Sequence, residues 1–462
     1  MSASQVLTAD QMRAAEQAIF GTGVTVFELM EKAAGGAAEW VRRIAGGRSV
    51  TVLCGPGNNG GDGYVIARIL RDTGLAVRII APMPPKTEAA QTALKRWGGA
   101  VETSGSGETG EVLVDCLFGT GLTRPLEAEH ALMLRDLVQR HPIRIAIDVP
   151  SGVDSDTGAL LNDRLPQYTA TITLGAWKFA HWSLPARTKM GSMRLVEIGI
   201  DTVPDAAELI QKPQLSAPAM DSHKYRRGMV AVVCGDMLGA GILSSKAALR
   251  AGAGYVKFIA NEQQNAPADL VVDPSPVKVA LDDDRIDSVL IGPGLGRHEG
   301  SVKALEAAVR CDASLVLDAD ALHLLRPNMM GEDQPVIATP HDGELDALCK
   351  TFSVIAKGRL DRAKALAAAS GMVVLAKGPD TIVAAPDGRI ALAPPAPSWL
   401  SIAGTGDVLA GLAASRMATG ADALTAACEA VWLHGEAARQ CGGFFTAGDL
   451  AQAVSPVCRE CL

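Results

Sequence analysis

Two glycine-rich stretches carry the residue types best suited to chemistry. GPGNNGGDG, Gly55 to Gly63, follows the apolar run SVTVLC, and AGTGDVLAG, Ala403 to Gly411, opens a helical stretch of small residues. In the second, Gly404 and Gly406 let the N–H groups of a helix start converge on one space. That is an anion hole, to which the helix dipole adds about 0.3–2 kcal/mol. Asp407 lies in the same turn, and a plain phosphate site would avoid its charge. Phosphoryl transfer uses it, because a base must take the proton of the attacking hydroxyl while amides stabilise the transferred group. The competing reading is a helix cap made by Thr405 or Asp407. The first stretch has neither G-x-G-x-x-G spacing nor the Lys-Ser/Thr of a Walker loop. Its signature is Asn58, Asn59 and Asp62 among five glycines.

The elements that must position these residues alternate along the chain. Strand patterns SVTVLC, LAVRIIA, EVLVDCLF, IRIAIDV, ATITL and MRLVEI alternate with helices near 61–73, 87–97 and 127–140. This rhythm predicts a parallel sheet wrapped by helices. The helical stretch 9–44 ahead of it would pack on that sheet or on a partner subunit. Proline-rich sequence without periodicity places a boundary near 205–222. The alternation then restarts with MVAVVC, YVKFIA, SVLIGPG, ASLVLDAD, PVIATP, MVVLAKG and TIVAA, includes a helix near 239–252, and closes on helices near 405–419 and 422–441. The expectation is α/β with two domains, 1–210 and 215–462. Ligands of open α/β sheets sit outside the carboxyl ends of the strands, where GPGLG (292–296), TPHDGE (339–344) and AKGPDT (376–381) fall. Lys377, Gly378 and Thr381 suit nucleotide phosphates. His341 suits a substrate contact, although a lone histidine is more often structural, and LDADAL (317–322) reads as a helix cap.

Composition narrows the function classes. The chain has 462 residues, 48% of them apolar and 20% charged, as in a globular protein. A net charge of −8 and a pI near 5.6 argue against nucleic acid or anionic membrane as main partner. MSASQVLTADQMRAAEQ lacks the apolar core of a signal peptide, and no run approaches a membrane span of roughly 18 residues. Nine scattered cysteines, of which Cys458 and Cys461 flank Arg459-Glu460 at the end of the sequence with no second such pair, argue against zinc and for a cytoplasmic protein.

Taken together, GTGDVLAG, AKGPDT, TPHDGE, GPGLG and the His223-Lys224 pair resemble the ribokinase-like superfamily. Within it they are most similar to the ADP- or ATP-dependent NAD(P)H-hydrate dehydratases, over roughly 215–455. GPGNNGGDG, DCLFGTGLTRP (115–125) and DVPSG (148–152) resemble the NAD(P)H-hydrate epimerase domain often fused ahead of that dehydratase, from ELMEKA (28–33) to about Ile200. The resemblance implies a Rossmann-like N-terminal domain, a ribokinase-like C-terminal one, and repair of hydrated NADH and NADPH. The first domain would interconvert the R and S hydrates. The second would phosphorylate the ring hydroxyl of the S hydrate with ADP or ATP and eliminate phosphate. In the dehydratase Asp407 is the implied base. Lys377, Gly378, Pro379, Asp380, Thr381, Gly404 and Gly406 would meet the nucleotide with its magnesium, and Gly241, Gly294 and His341 the hydrated cofactor. LGAG (238–241) stands where the family reads P-G-A-A, which leaves Gly241 the weakest of these.

In the epimerase Asp148 is the implied catalytic carboxylate, giving and then retaking a proton; its competing reading is a cap for the PSG turn. Asn58, Asn59, Gly60, Gly61 and Asp62, with Gly119, Thr120, Gly121, Leu122, Thr123, Arg124 and Pro125, would cradle the substrate. Asn59, Asp115 and Ser151 match the positions that hold a potassium ion, and oxygen donors suit a hard cation. Lys178 matches a family lysine, but Phe179-Ala180-His181 departs from the proline and glycine that usually follow, so Lys178 is left out of the catalytic set. A homo-oligomer is the family expectation. Two alternatives stand beside this reading: a kinase for a small hydroxylated metabolite, and an N-terminal domain that only binds.

Overall fold

A computed structural model describes residues 4–105, 110–260, 267–331 and 334–462. The chain forms two compact units, Met1–Glu208 and Leu209–Leu462. In the first, six strands make a parallel sheet in the order Val77–Ile80, Val50–Cys54, Val112–Cys116, Ile143–Ile147, Ala170–Leu174, Ser192–Val196. Val50–Cys54, Val112–Cys116 and Ala170–Leu174 are buried along their whole length, as expected where helices cover both faces.

The stretch 9–44 is two helices, Ala9–Gly21 and Val26–Ala45. Gly23, at φ 96°, lies in the break, and each helix starts with a reciprocal capping box, Thr8 with Gln11 and Thr25 with Glu28. Leu29, Met30, Ala33, Ala34, Ala37, Ala38 and Val41 recur at helical spacing and join the core of this unit's own sheet.

GPGNNGGDG is less of a loop than its composition indicates. The helix starts at Asn58, ahead of the expected 61, and runs to Asp72. The glycines permit this by close packing. A Cβ on Gly60 would overlap the Gly55 backbone, and one on Gly61 would lie 2.8 Å from Met30 Sδ. One on Gly63 would lie 2.7 Å from Cys54 Sγ and 2.9 Å from Cys116 Cβ. The helix therefore sits directly on the two strands whose ends it serves.

In the second unit seven parallel strands run in the order Val271–Asp273, Tyr255–Ile259, Met229–Val233, Ser288–Ile291, Ser314–Leu317, Val336–Ala338, Val373–Ala376. Ile382–Ala384 and Ile390–Leu392 add two antiparallel strands. Helices Leu238–Arg250, Thr405–Ala418, Ala423–Cys441 and Ala447–Glu460 share the main core. Gly411 packs on the Ser244 backbone, so Thr405–Ala418 lies close against Leu238–Arg250. The sequence pattern did not reveal Ala447–Glu460, which carries Pro456 inside it, nor the helices Glu299–Ala308, Asp342–Thr351 and Arg359–Ser370.

Overpacking gives a direct check. Gly63→Ala is expected to destabilise the first unit by about 1–3 kcal/mol. Gly35→Ala, at a helical position with nothing within 4 Å of a new Cβ, should stabilise it by about 0.5–1 kcal/mol. Urea unfolding of the two variants checks both signs.

Candidate active sites

In the first unit Asp148 directly follows the strand Ile143–Ile147 and takes φ 66°, the left-handed region that a non-glycine residue enters at a cost. This conformation survives because every polar group of the residue is held. Its N–H donates to Ile172 O at 2.7 Å, and its carbonyl accepts from His181 Nε2 at 2.8 Å. His181 Nδ1 in turn accepts the Lys178 N–H at 2.8 Å, which leaves the imidazole proton on Nε2. Carboxylate Oδ2 accepts from Thr120 N at 3.0 Å and Thr120 Oγ1 at 2.5 Å. Oδ1 is paired with Lys178 Nζ, which also donates to Leu174 O at 2.7 Å.

Lys178 is 1% exposed. Burial disfavours the charged carboxylate, but the Lys178 ammonium and the hydrogen bonds from Lys178 and Thr120 outweigh it and hold Asp148 down at about 2. Burial, then Lys178, pushes His181 down to about 4, so it is neutral. Asp62 is displaced the opposite way: burial, then Asp148 and Glu16, raises it well above the ordinary range.

Asp115 and Ser151 meet beside this group. Ser151 Oγ donates to Asp115 Oδ1 at 2.7 Å, and Asp115 also accepts from Ser151 N, Leu117 N and the Tyr168 hydroxyl. Burial raises the Asp115 carboxyl despite these donors. A Cβ on Gly119 would lie 3.0 Å from Asn59 Cγ and 3.2 Å from Asp148 Oδ2, so Asn59 flanks the same backbone as the carboxylate. Asn59 Oδ1 and Nδ2 are buried with no partner among the described residues. An orphaned buried amide oxygen beside hydroxyl and carboxylate donors fits a hard cation. Of the remaining cradle, Gly60, Gly61 and Asp62 are buried, Leu122 is half-buried, and Asn58, Gly121, Thr123, Arg124 and Pro125 are exposed.

In the second unit Gly404 caps Thr405–Ala418 at φ 92° without a side-chain cap, so neither Thr405 nor Asp407 fills the capping role. Thr405 Oγ1 bonds back to Leu400 O and Ile402 O. Burial, then the charge of Asp318, raises Asp407 to about 6 against the pull of Lys377. Lys377 Nζ lies 2.5 Å from Asp318 Oδ1 and 3.9 Å from Glu344 Oε2, and Thr339 Oγ1 donates to Asp318 Oδ1 at 2.7 Å. A Cβ on Gly406 would lie 3.6 Å from Lys377 Nζ. Ammonium, glycine amide and carboxylate thus converge on one helix start.

A cavity of about 300 Å³ adjoins them, lined by Lys377, Gly378, Pro379, Thr381, Gly406 and His434 with apolar walls from Ala393, Pro397, Leu400 and Val431. Thr381 Oγ1 donates to Gly378 O at 2.7 Å and closes the turn. Asp380 faces away from this role: its carboxylate is paired with Arg359, which also donates to Ala376 O at 3.0 Å. His341 caps Asp342–Thr351, accepting from Gly343 N at 3.0 Å while Glu344 accepts the His341 N–H at 2.8 Å. Gly241 lies inside Leu238–Arg250, where a Cβ would meet Phe258 and Cys234. Gly294, at φ 64°, presents its carbonyl to Met237 N at 3.0 Å.

Arg359 and His434 escaped the sequence reading, and Lys178 was set aside by it. Lys178 has a family match as its signal; Arg359 has none. His434 sits mid-helix, with burial lowering it to about 4, so it is neutral, and its Nε2 donates to Thr405 O at 2.9 Å. In a planar trans peptide, C=O and the next N–H point oppositely. Fixing Thr405 O therefore aims Gly406 N–H the other way.

Comparison with known proteins gives this geometry a family. Residues 26–180 match the model of the YjeF-related protein N-terminus, and residues 230–457 match that of NAD(P)H-hydrate dehydratase. The chain is 34% identical to the bifunctional NAD(P)H-hydrate repair enzyme Nnr of Escherichia coli, over 93% of this chain and 88% of that one. It belongs to the bifunctional NAD(P)H-hydrate repair enzymes. The Salinibacter ruber relative is 33% identical, over 95% of this chain and 92% of its own. A solved ADP/ATP-dependent NAD(P)H-hydrate dehydratase from Bacillus subtilis, co-crystallised with ATP and magnesium, is 28% identical over 54% of this chain and 95% of that one, with a TM-score of 0.48.

The buried pair is testable without substrate. Lys178→Met strands the Asp148 charge, and urea unfolding at pH 7 should show a loss of about 3–5 kcal/mol in the first unit. In the wild type the pair's contribution is full above the ordinary Asp value of about 4. It disappears as pH falls through about 2, a loss the variant should not show.

Proposed function

We propose that this chain repairs hydrated NAD(P)H in two steps, with 1–210 as epimerase and 215–462 as dehydratase. The observation that carries the reading is the pair of reacting carboxylates in opposite electrostatic states, Asp148 held ionised and Asp407 raised to about 6.

In the dehydratase, Asp407 takes the proton of the ring hydroxyl as its oxygen attacks the terminal phosphoryl of ADP or ATP, whose bridging P–O bond breaks to release AMP or ADP. A base with a pKa near working pH is effective in that step. Gly406 N–H, aimed by His434, and Lys377 stabilise the charge on the transferring group. The C–O bond then breaks, phosphate leaves with the electron pair, and the ring nitrogen supplies electrons; loss of a ring proton restores NAD(P)H. Gly378, Pro379 and Thr381 hold the nucleotide, and Asp380 acts through Arg359 by shaping the turn. Asp318 and Glu344, buried beside Lys377, are the oxygen donors that fit the magnesium carried by the nucleotide. Gly294 and His341 face the hydrated ring.

In the epimerase, Asp148 is ionised at rest and has no proton of its own to give first. Lys178 supplies it: the proton crosses to Oδ1 and on to the ring hydroxyl, which leaves as water, and the ring nitrogen forms an iminium. Water returns to either face, and the proton travels back to Lys178. The ionised carboxylate stabilises the cation between the two events. Asn59, Asp115 and Ser151 would hold potassium, which supplies positive charge beside the bound dinucleotide.

No disulfide joins the cysteines among the described residues, which supports a reducing cytoplasmic setting. Among the described residues no helix is long and apolar enough to cross a membrane. In this reading the partners are the small-molecule substrates, and the family resemblance implies a homo-oligomer.

Point variants separate the halves. Asp148→Asn should slow R-to-S conversion by about 10²–10⁴-fold while the S hydrate is still dehydrated. Asp407→Asn should abolish nucleotide-dependent recovery of NADH while the epimers still interconvert. Chromatographic resolution of the hydrates reads both, and unchanged epimerisation in Asp148→Asn would mean a domain that only binds.

A further inference from the structure

A second cavity, of about 390 Å³, opens at the carboxyl ends of Met229–Val233 and Tyr255–Ile259 and shares no lining residue with the nucleotide cavity. Leu238, Ile259 and Pro276 give it apolar walls, and Asp236, Ser275 and His298 a polar rim. Its size is that of a small-ligand pocket. Behind its walls lie Gly241 and Gly294, the two glycines that the family resemblance assigns to the hydrated cofactor. A Cβ on Gly241 would meet Cys234 Sγ, on the cavity wall, at 3.0 Å. One on Gly294 would meet Met237 Cβ at 2.8 Å, between the lining residues Asp236 and Leu238. A dinucleotide whose hydrated ring lies at Gly294 has a second nucleoside to place, and this is the adjoining space.

The charge of the cavity has one sign. Among the described residues no lysine or arginine lines it, while the exposed Asp236 carboxylate does, touched by His298 Nε2 at 3.3 Å. A carboxylate accepts hydrogen bonds from a free ribose diol; a 2′-phosphate needs a cation in its place. Like charges set against each other there cost binding. We infer that this cavity takes the adenosine half of the hydrated dinucleotide, and that Asp236 selects a free 2′-hydroxyl, favouring NADH-hydrate over NADPH-hydrate. The inference rests on the dehydratase reading and adds the specificity that reading leaves open.

The test uses the full chain and the reaction products, so it needs no turnover. NADH and NADPH are titrated by nicotinamide fluorescence against wild type, Asp236→Asn and Asp236→Arg. A charge-assisted hydrogen bond gained by one ligand and a repulsion met by the other correspond to about tenfold or more. Wild type should bind NADH tighter by that ratio, Asp236→Asn should shrink the ratio, and Asp236→Arg should erase or invert it. An equal affinity for both in wild type, or one ratio shared by wild type and Asp236→Arg, overturns the proposal. Parallel assays with the two S hydrates and ATP should show the same preference in KM. Failure to turn over either hydrate would count against the dehydratase reading, while the titration still decides what the cavity binds.

Discussion

Both sites depend on a lysine driven against an aspartate at the end of a parallel strand. Neither charge would be stable there alone, because desolvation of a buried ion costs several kcal/mol. Lys178 needs Asp148, and Lys377 needs Asp318. The pairings then decide what the reacting carboxylate can do. Where the lysine pairs with the reacting group itself, that group rests as an anion. Where the lysine pairs with a neighbour, burial and then the neighbour's charge push the reacting group up, and it becomes a base. One device yields two chemistries according to which carboxylate the lysine takes.

Glycine supports both arrangements, but through packing as much as through ligand access. Gly63 seats the helix that carries Asn59 on the strands Val50–Cys54 and Val112–Cys116, the second of which carries Asp115, and Gly61 lets Met30 pack against the same helix. Gly411 seats the Asp407 helix on its neighbour. Side chains at these positions would move the reacting groups before they touched any ligand. Precision of about an ångström matters in such sites.

The central strands of both sheets were legible because parallel strands buried on both faces read as short apolar runs; the three-residue strands Val271–Asp273 and Ile390–Leu392, only partly buried, were not. Asp148 and the glycine motifs of the strand ends were legible because they stand where such runs end, and Asp407 because glycines mark the helix start that carries it. The helix Ala447–Glu460 was hidden by Pro456 and by its place after two long helices. Lys178 lost its weight because Phe179-Ala180-His181 departs from the family pattern, yet His181 is what the structure uses to hold the Asp148 carbonyl. Arg359 and His434 act on backbone carbonyls far away in sequence, at separations of 17 and 29 residues. No local pattern marks such a contact. His341 and Asp380 show the reverse, since their places in legible motifs concealed a cap and an ion pair.

The central claim is that the lysine pairings set the two carboxylates apart, and pH reads it most directly. The rate of each half-reaction, kcat/KM, would be followed from pH 5 to 9 on the full chain with saturating magnesium nucleotide. Asp407 acts as a base, so the dehydration rate should rise with pH through an apparent pKa of about 6 and then level off. Asp148 stays ionised throughout that range, so epimerisation should show no carboxylate limb there. A flat dehydration profile down to pH 5, or the same limb near 6 in both reactions, would contradict the account.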